Sequence, residues 1–180
     1  MNNNRCRFFR AIVLFLSAFI VACSADIDDY SQSGPEFQLF DYFSGQHTAW
    51  GMIQDYRLKQ TRRFEVALRG EVKGEELTLH EDFVFDDGET MTRVWRITRQ
   101  SDGHYLGQAD DIVGTALGRE QGNALHWQYD FLIEQDGSKT QVTFDDWLYR
   151  QDEKHVFNVT SIRKWGIEVG RLTLFFQKHD

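Results

Sequence analysis

The chain has 180 residues, and 28 acidic against 20 basic side chains leave a net charge of −8. An acidic chain with no basic stripe interleaved with aromatics repels polyanions, which argues against nucleic-acid binding. Cys6 and Cys23 are the only thiols, so a disulfide framework or a cysteine-ligated metal cluster is excluded.

The N-terminus reads as a targeting segment. Arg5, Arg7 and Arg10 form a positive n-region ahead of an apolar run from Ala11 to Ala22. A run of roughly 12 apolar residues falls short of the about 20 that a bilayer span needs. Ile20-Val21-Ala22-Cys23 has the form of a lipobox, with cleavage before Cys23 and a diacylglycerol thioether on its sulfur. Cys6 leaves with the signal, so no thiol remains for other chemistry and no cofactor is expected beyond the covalent lipid on Cys23. Loss of three arginines and no acids puts the remaining chain near −11.

Ser24 to Glu36 is polar, acidic and aperiodic, and it contains the only proline, Pro35. It reads as a tether reaching at most about 45 Å when extended. The domain organisation expected is residues 1–22 signal peptide, 23–36 lipidated cysteine and polar tether, and 37–180 a β-barrel domain. Ser24 in place of an aspartate directs the expectation to the outer membrane, facing the periplasm, with the lipid anchor as the membrane partner.

From Phe37 onward the period is two. Phe64, Val66 and Leu68 alternate with polar or small neighbours, as do Leu77 to Phe85 and Leu125 to Ile133, and Leu172, Leu174 and Phe176 near the end. Turn signals separate these runs at Val72-Lys73-Gly74, Asp86-Asp87-Gly88, Ser101-Asp102-Gly103, Asp136-Gly137 and Gln151-Asp152-Glu153. About eight to ten strands in one meander leave an exposed edge unless the sheet closes. The spacing therefore predicts an all-β antiparallel up-and-down barrel of calycin or lipocalin-like kind, with a two-sheet sandwich as the alternative. Outward charges at Glu65, Arg69, Glu76 and Asp82 disfavour a transmembrane barrel.

Glu81 shares parity with Leu77, Leu79, Phe83 and Phe85, so it should point inward. A three-residue loop at Asp86-Asp87-Gly88 pairs Phe83 with Met91, Leu79 with Trp95 and Glu81 with Arg93. An interior carboxylate facing an interior guanidinium is either a structural ion pair or the polar contact for a ligand in an aromatic pocket. Trp95, Trp127 and Phe83 would be its walls. The doublets Asp110-Asp111 and Asp145-Asp146 cannot chelate on a regular strand, where neighbours face opposite sides, so turn or edge roles are expected. One of Asp145 and Asp146 should face inward near Trp127, in a register that the Asp136-Gly137 turn leaves open. His47, His80, His104, His126, His155 and His179 show no zinc spacing, and no metal is expected.

Several strings together resemble one family. They are Trp50-Gly51 with Gln54-Asp55, Arg63-Phe64, the block Glu81 to Glu89, Arg93-Val94-Trp95, Ala109 to Gly114, Gly122-Asn123-Ala124, Trp127 with Tyr129, and Asp145-Asp146-Trp147. This pattern is similar to bacterial lipoproteins known only as domain of unknown function 3833. The family pattern has a basic residue directly after the first aspartate, whereas Tyr56 precedes Arg57 here, which bears on the register of the first strand. The resemblance implies a lipid-anchored envelope protein with a lipocalin-like barrel, and it brings no assigned activity.

The functional expectation is a carrier that holds a small amphipathic or hydrophobic ligand in the barrel, with Arg93 or Glu81 at its polar end. A module for envelope maintenance, meeting a basic partner through the acidic loops at Asp86-Asp87 and Asp110-Asp111, is the alternative. An enzyme using Glu81 as general acid or base is the least favoured reading, because no nucleophile accompanies it.

Overall fold

The structure is a computed structural model that describes residues 25–135 and 138–180. The signal segment, Cys23, Ser24 and the Asp136-Gly137 turn lie outside the described residues. Ten strands follow one another in hairpins: β1 Gly45–Asp55, β2 Gln60–Lys73, β3 Glu76–Phe85, β4 Thr90–Arg99, β5 His104–Gln108, β6 Ile112–Gln121, β7 Ala124–Gln135, β8 Ser138–Arg150, β9 His155–Lys164 and β10 Ile167–Lys178. Each pairs antiparallel with its sequence neighbours, and β1 pairs with β10 from His47 opposite Lys178 to Asp55 opposite Gly170. The sheet is thus a closed up-and-down barrel rather than a two-sheet sandwich, and every strand has a hydrogen-bonded neighbour on both sides, although β4 meets β5 only over Arg96 to Arg99.

The alternation read from the sequence is the alternation of burial. On β2, Phe64, Val66 and Leu68 are buried while Glu65, Ala67 and Arg69 are exposed. Glu76 and Asp82 also face outward. Tyr56 lies in the turn after the last residue of β1, so the family's departure there leaves the β1 ladder intact up to a bulge at Ile53/Gln54. Gly88 takes φ +87 in the loop between β3 and β4, the left-handed conformation that this short turn requires.

One end of the barrel is stoppered by a short helix, α1 (Leu39–Phe43), which period-two reading did not anticipate. Five residues are too few for a helical apolar period to show, and Gln38 provides no side-chain cap. Tertiary contacts hold it instead. The Leu39 amide donates to Glu120 at 2.8 Å, the Tyr42 hydroxyl donates to the Lys154 carbonyl at 3.0 Å, and Lys178 donates to the carbonyls of Asp41 and Tyr42 at 2.6 and 2.9 Å. Gly70 lets the helix sit this close, because a Cβ there would stand 1.8 Å from the Phe43 carbonyl oxygen.

Much of the stretch expected as a free tether is laid against the barrel wall. Ile27–Tyr30 forms a 3₁₀ turn in which Asp26 and Asp29 cap one another's backbone, and Ile27 is buried. The Tyr30 ring stands 5.6 Å from both Trp147 and Tyr149, Asp28 pairs with Arg119 at 2.6 Å, and the Phe37 amide donates to the Gly122 carbonyl. The acids that suggested a solvated linker are used as caps and an ion partner. Among the described residues no helix is long and apolar enough to cross a membrane.

Candidate functional site

Hairpin chemistry places the central pair. The register of β3 and β4 sets Glu81 opposite Arg93, with Phe83 opposite Met91 and Leu79 opposite Trp95, as the turn between them dictates. Both charged side chains point inward, and only 12% of Glu81 and 14% of Arg93 is exposed. Their closest approach is nevertheless 3.9 Å, beyond a hydrogen bond. The close partner of Arg93 is Asp111, whose Oδ2 accepts from Nε at 2.8 Å and stands 2.7 Å from Nη2 as an ion pair. Asp111 holds the turn position expected for it, and its pairing with a buried guanidinium is the part that sequence alone did not show. It lies in the turn between β5 and β6, where strand parity does not fix direction, and a buried guanidinium draws it in.

The doublet Asp145-Asp146 divides as alternation requires. Asp146 pairs with Trp127 and is 9% exposed, which settles the register left open by the preceding turn. Asp145 turns outward to His126, 2.7 Å away, with Arg163 at 3.6 Å. Beside Asp146 on β9, Asn158 and Thr160 also face inward, and the Thr160 hydroxyl donates to Asn158 at 2.9 Å. Sequence reasoning passed over both, although their parity with Val156 and Ile162 is a usable signal. Asp86 and Asp87 form ion pairs with Arg63 at 3.4 Å and Arg62 at 3.0 Å, so their charge is largely met within the chain.

Glu81, Arg93, Asp146 and Asn158 are polar groups in the lining of a cavity of about 120 Å³. All five residues expected to contact a ligand, Glu81, Phe83, Arg93, Trp95 and Trp127, line it. Trp127 lies over two glycines of β5 and β6, since a Cβ on Gly107 or Gly118 would meet its ring at 2.3 or 2.1 Å. It packs edge-on against Trp95 at 5.8 Å between ring centroids. The Arg93 guanidinium stands 5.5 to 5.9 Å from the rings of Phe83, Trp95 and Phe131, close enough for cation–π attraction.

One guanidinium here faces three carboxyl groups. Burial pushes Glu81 up to about 7, against the pull of Arg93. Burial likewise pushes Asp146 up to about 7, opposed by the Thr160 hydroxyl and by Arg93. For Arg93, burial favours loss of the proton but is outweighed by Glu81, Tyr129 and Asp111, so its pKa rises and it stays charged. Oε2 of Glu81, Oδ1 of Asp111 and Oδ1 of Asp146 are buried without a hydrogen-bond partner. Such groups are costly to leave without a hydrogen-bond partner. Among the described residues no group of three or more His, Cys, Asp and Glu is arranged to hold a metal ion.

A family model described as a protein of unknown function, DUF3833, matches residues 17–178. No curated protein matches the chain.

Proposed function

The chain belongs to this family of proteins of unknown function, and from that premise we propose that it is a lipid-anchored envelope protein whose barrel binds a small amphipathic molecule. The observation that carries the reading is the pair of unpartnered carboxyl oxygens of Glu81 and Asp146 that, with Arg93, line an otherwise apolar cavity, while Asp111 holds the same guanidinium. A guest with a hydrogen-bond-donating head, a hydroxyl or an ammonium, satisfies those acceptors, and Trp95, Trp127 and Phe83 enclose its apolar part. A cavity of about 120 Å³ is smaller than the roughly 300–1,000 Å³ of drug-sized sites. The head and its first carbons therefore fill it, while any tail lies along the partly buried Phe131 and Leu172.

The anchor belongs to the same reading. Lipid on Cys23, at the outer membrane facing the periplasm, would hold the barrel close to the bilayer, because the chain from Ile27 onward is already docked on the barrel wall. Binding would be reversible and would need no cofactor beyond that lipid.

Native mass spectrometry of the protein as extracted from its own envelope in mild detergent tests the reading. A reproducible added mass is expected in the wild type and is lost in the double variant Arg93→Ala, Glu81→Ala. A wild-type spectrum without any guest, with the variant merely less stable, would reduce the pair to a structural role.

A further inference from the structure

Among the described residues, four of the five most exposed large apolar side chains sit on two hairpin tips. Tyr56 and Leu58, in the turn between β1 and β2, are 67% and 57% exposed, and Trp165 and Ile167, where β9 turns into β10, are 90% and 69% exposed. β1 and β10 are hydrogen-bonded neighbours with Asp55 opposite Gly170, so the tips stand side by side at the end away from α1. Leu58 and Trp165 hold φ of 63° and 52°, a left-handed conformation that glycine or asparagine usually occupies. Bulky apolar residues are thus held outward where small or polar ones are ordinary.

The charge here runs against that of the whole chain. Arg57, Lys59 and Lys164 sit among the apolar groups, with the Lys164 ammonium 4.9 Å from the Trp165 ring centroid and the Arg57 guanidinium 5.1 Å from that of Tyr56. The nearby acids are engaged: Asp55 accepts from the amides of Arg57 and Lys59, and Glu168 from Ser161 and Arg171. The tips therefore offer net positive charge on a chain of net charge −8.

We propose that the two tips are a bilayer-docking surface, which seats Trp165, Ile167, Leu58 and Tyr56 in the headgroup layer of an anionic phospholipid membrane. Trp and Tyr settle at that interface, aliphatic side chains reach the acyl boundary, and the cations meet lipid phosphates. A bilayer demands no shape complementarity, so two separate hairpin tips can engage it together. Ile53 on β1 and Leu172 on β10, partly buried against the core, lead from this end into the barrel. The surface is independent of the cavity and of any lipid on Cys23.

The test compares the full chain with its Trp165→Phe variant on vesicles of phosphatidylglycerol and phosphatidylethanolamine whose acyl chains carry bromine. Residues 1–22 are common to both proteins, so the difference isolates the tip. Tryptophan emission of the wild type is expected to be quenched, and that of the variant distinctly less. Arg57→Glu and Lys164→Glu should each weaken binding about fivefold or more, an effect that added salt reduces. Equal quenching in both proteins would overturn the proposal. So would a dimer by light scattering that Trp165→Ser dissolves, because the patch would then belong to a second copy.

Discussion

Glu81 shows how far a single position can be read and where reading stops. Its inward direction and its partner across the hairpin followed from alternation and a three-residue turn, both local properties. That Arg93 would close on Asp111 did not follow, because a turn residue has no parity and its partner lies on another strand. Asp146 sits between these cases, since its strand was legible while its face depended on the register of one turn. The raised Glu81 and Asp146 have a consequence for stability. A carboxyl whose folded pKa is near 7, against about 4.5 for Glu81 or 3.8 for Asp146 when unperturbed, contributes stability that is complete at low pH and lost as pH rises through 7. Glu81→Gln removes the ionisation, so the variant should match the wild type at pH 5 and exceed it by about 1–3 kcal/mol at pH 8. Urea denaturation at the two pH values checks this, and a variant weaker at pH 8 would make Glu81 a required counterion of Arg93.

At the scale of elements, strands announced themselves and α1 did not. A strand repeats its signal over ten residues or so, whereas α1 is defined by where Phe40 and Phe43 find a hole to fill. The 3₁₀ turn Ile27–Tyr30 was illegible for the same reason, because its Asp28 meets an arginine 91 residues later. The dependence of α1 on Gly70 is testable. Gly70→Ala drives a methyl into the Phe43 carbonyl, and since backbone cannot yield as a side-chain tip can, α1 should lift from the barrel end. A loss of about 1–3 kcal/mol is expected. Amide exchange should rise at residues 39–43 while the β6–β8 ladder stays protected, and unchanged protection at α1 would show that the helix accommodates the methyl.

For the whole molecule, closure of β1 on β10 is the feature that the strand count could suggest but not demonstrate, since ten alternating strands suit a sandwich as well. Cohesion here is circular, so removing one strand exposes two edges. A chain ending at Lys164 would lack β10 and leave one edge of β1 and one edge of β9 unpaired; it should associate or precipitate, read by size-exclusion chromatography against the full barrel. A monomeric, folded truncation would show that closure is dispensable. The clasp of Lys178 on Asp41 joins groups 137 residues apart, at the two ends of the folded ring. Folding therefore completes late, because β1 keeps one edge open and the plug stays unfastened until β10 is in place. Until β10 arrives the sheet has two open edges, and net negative charge opposes the association of unclosed copies.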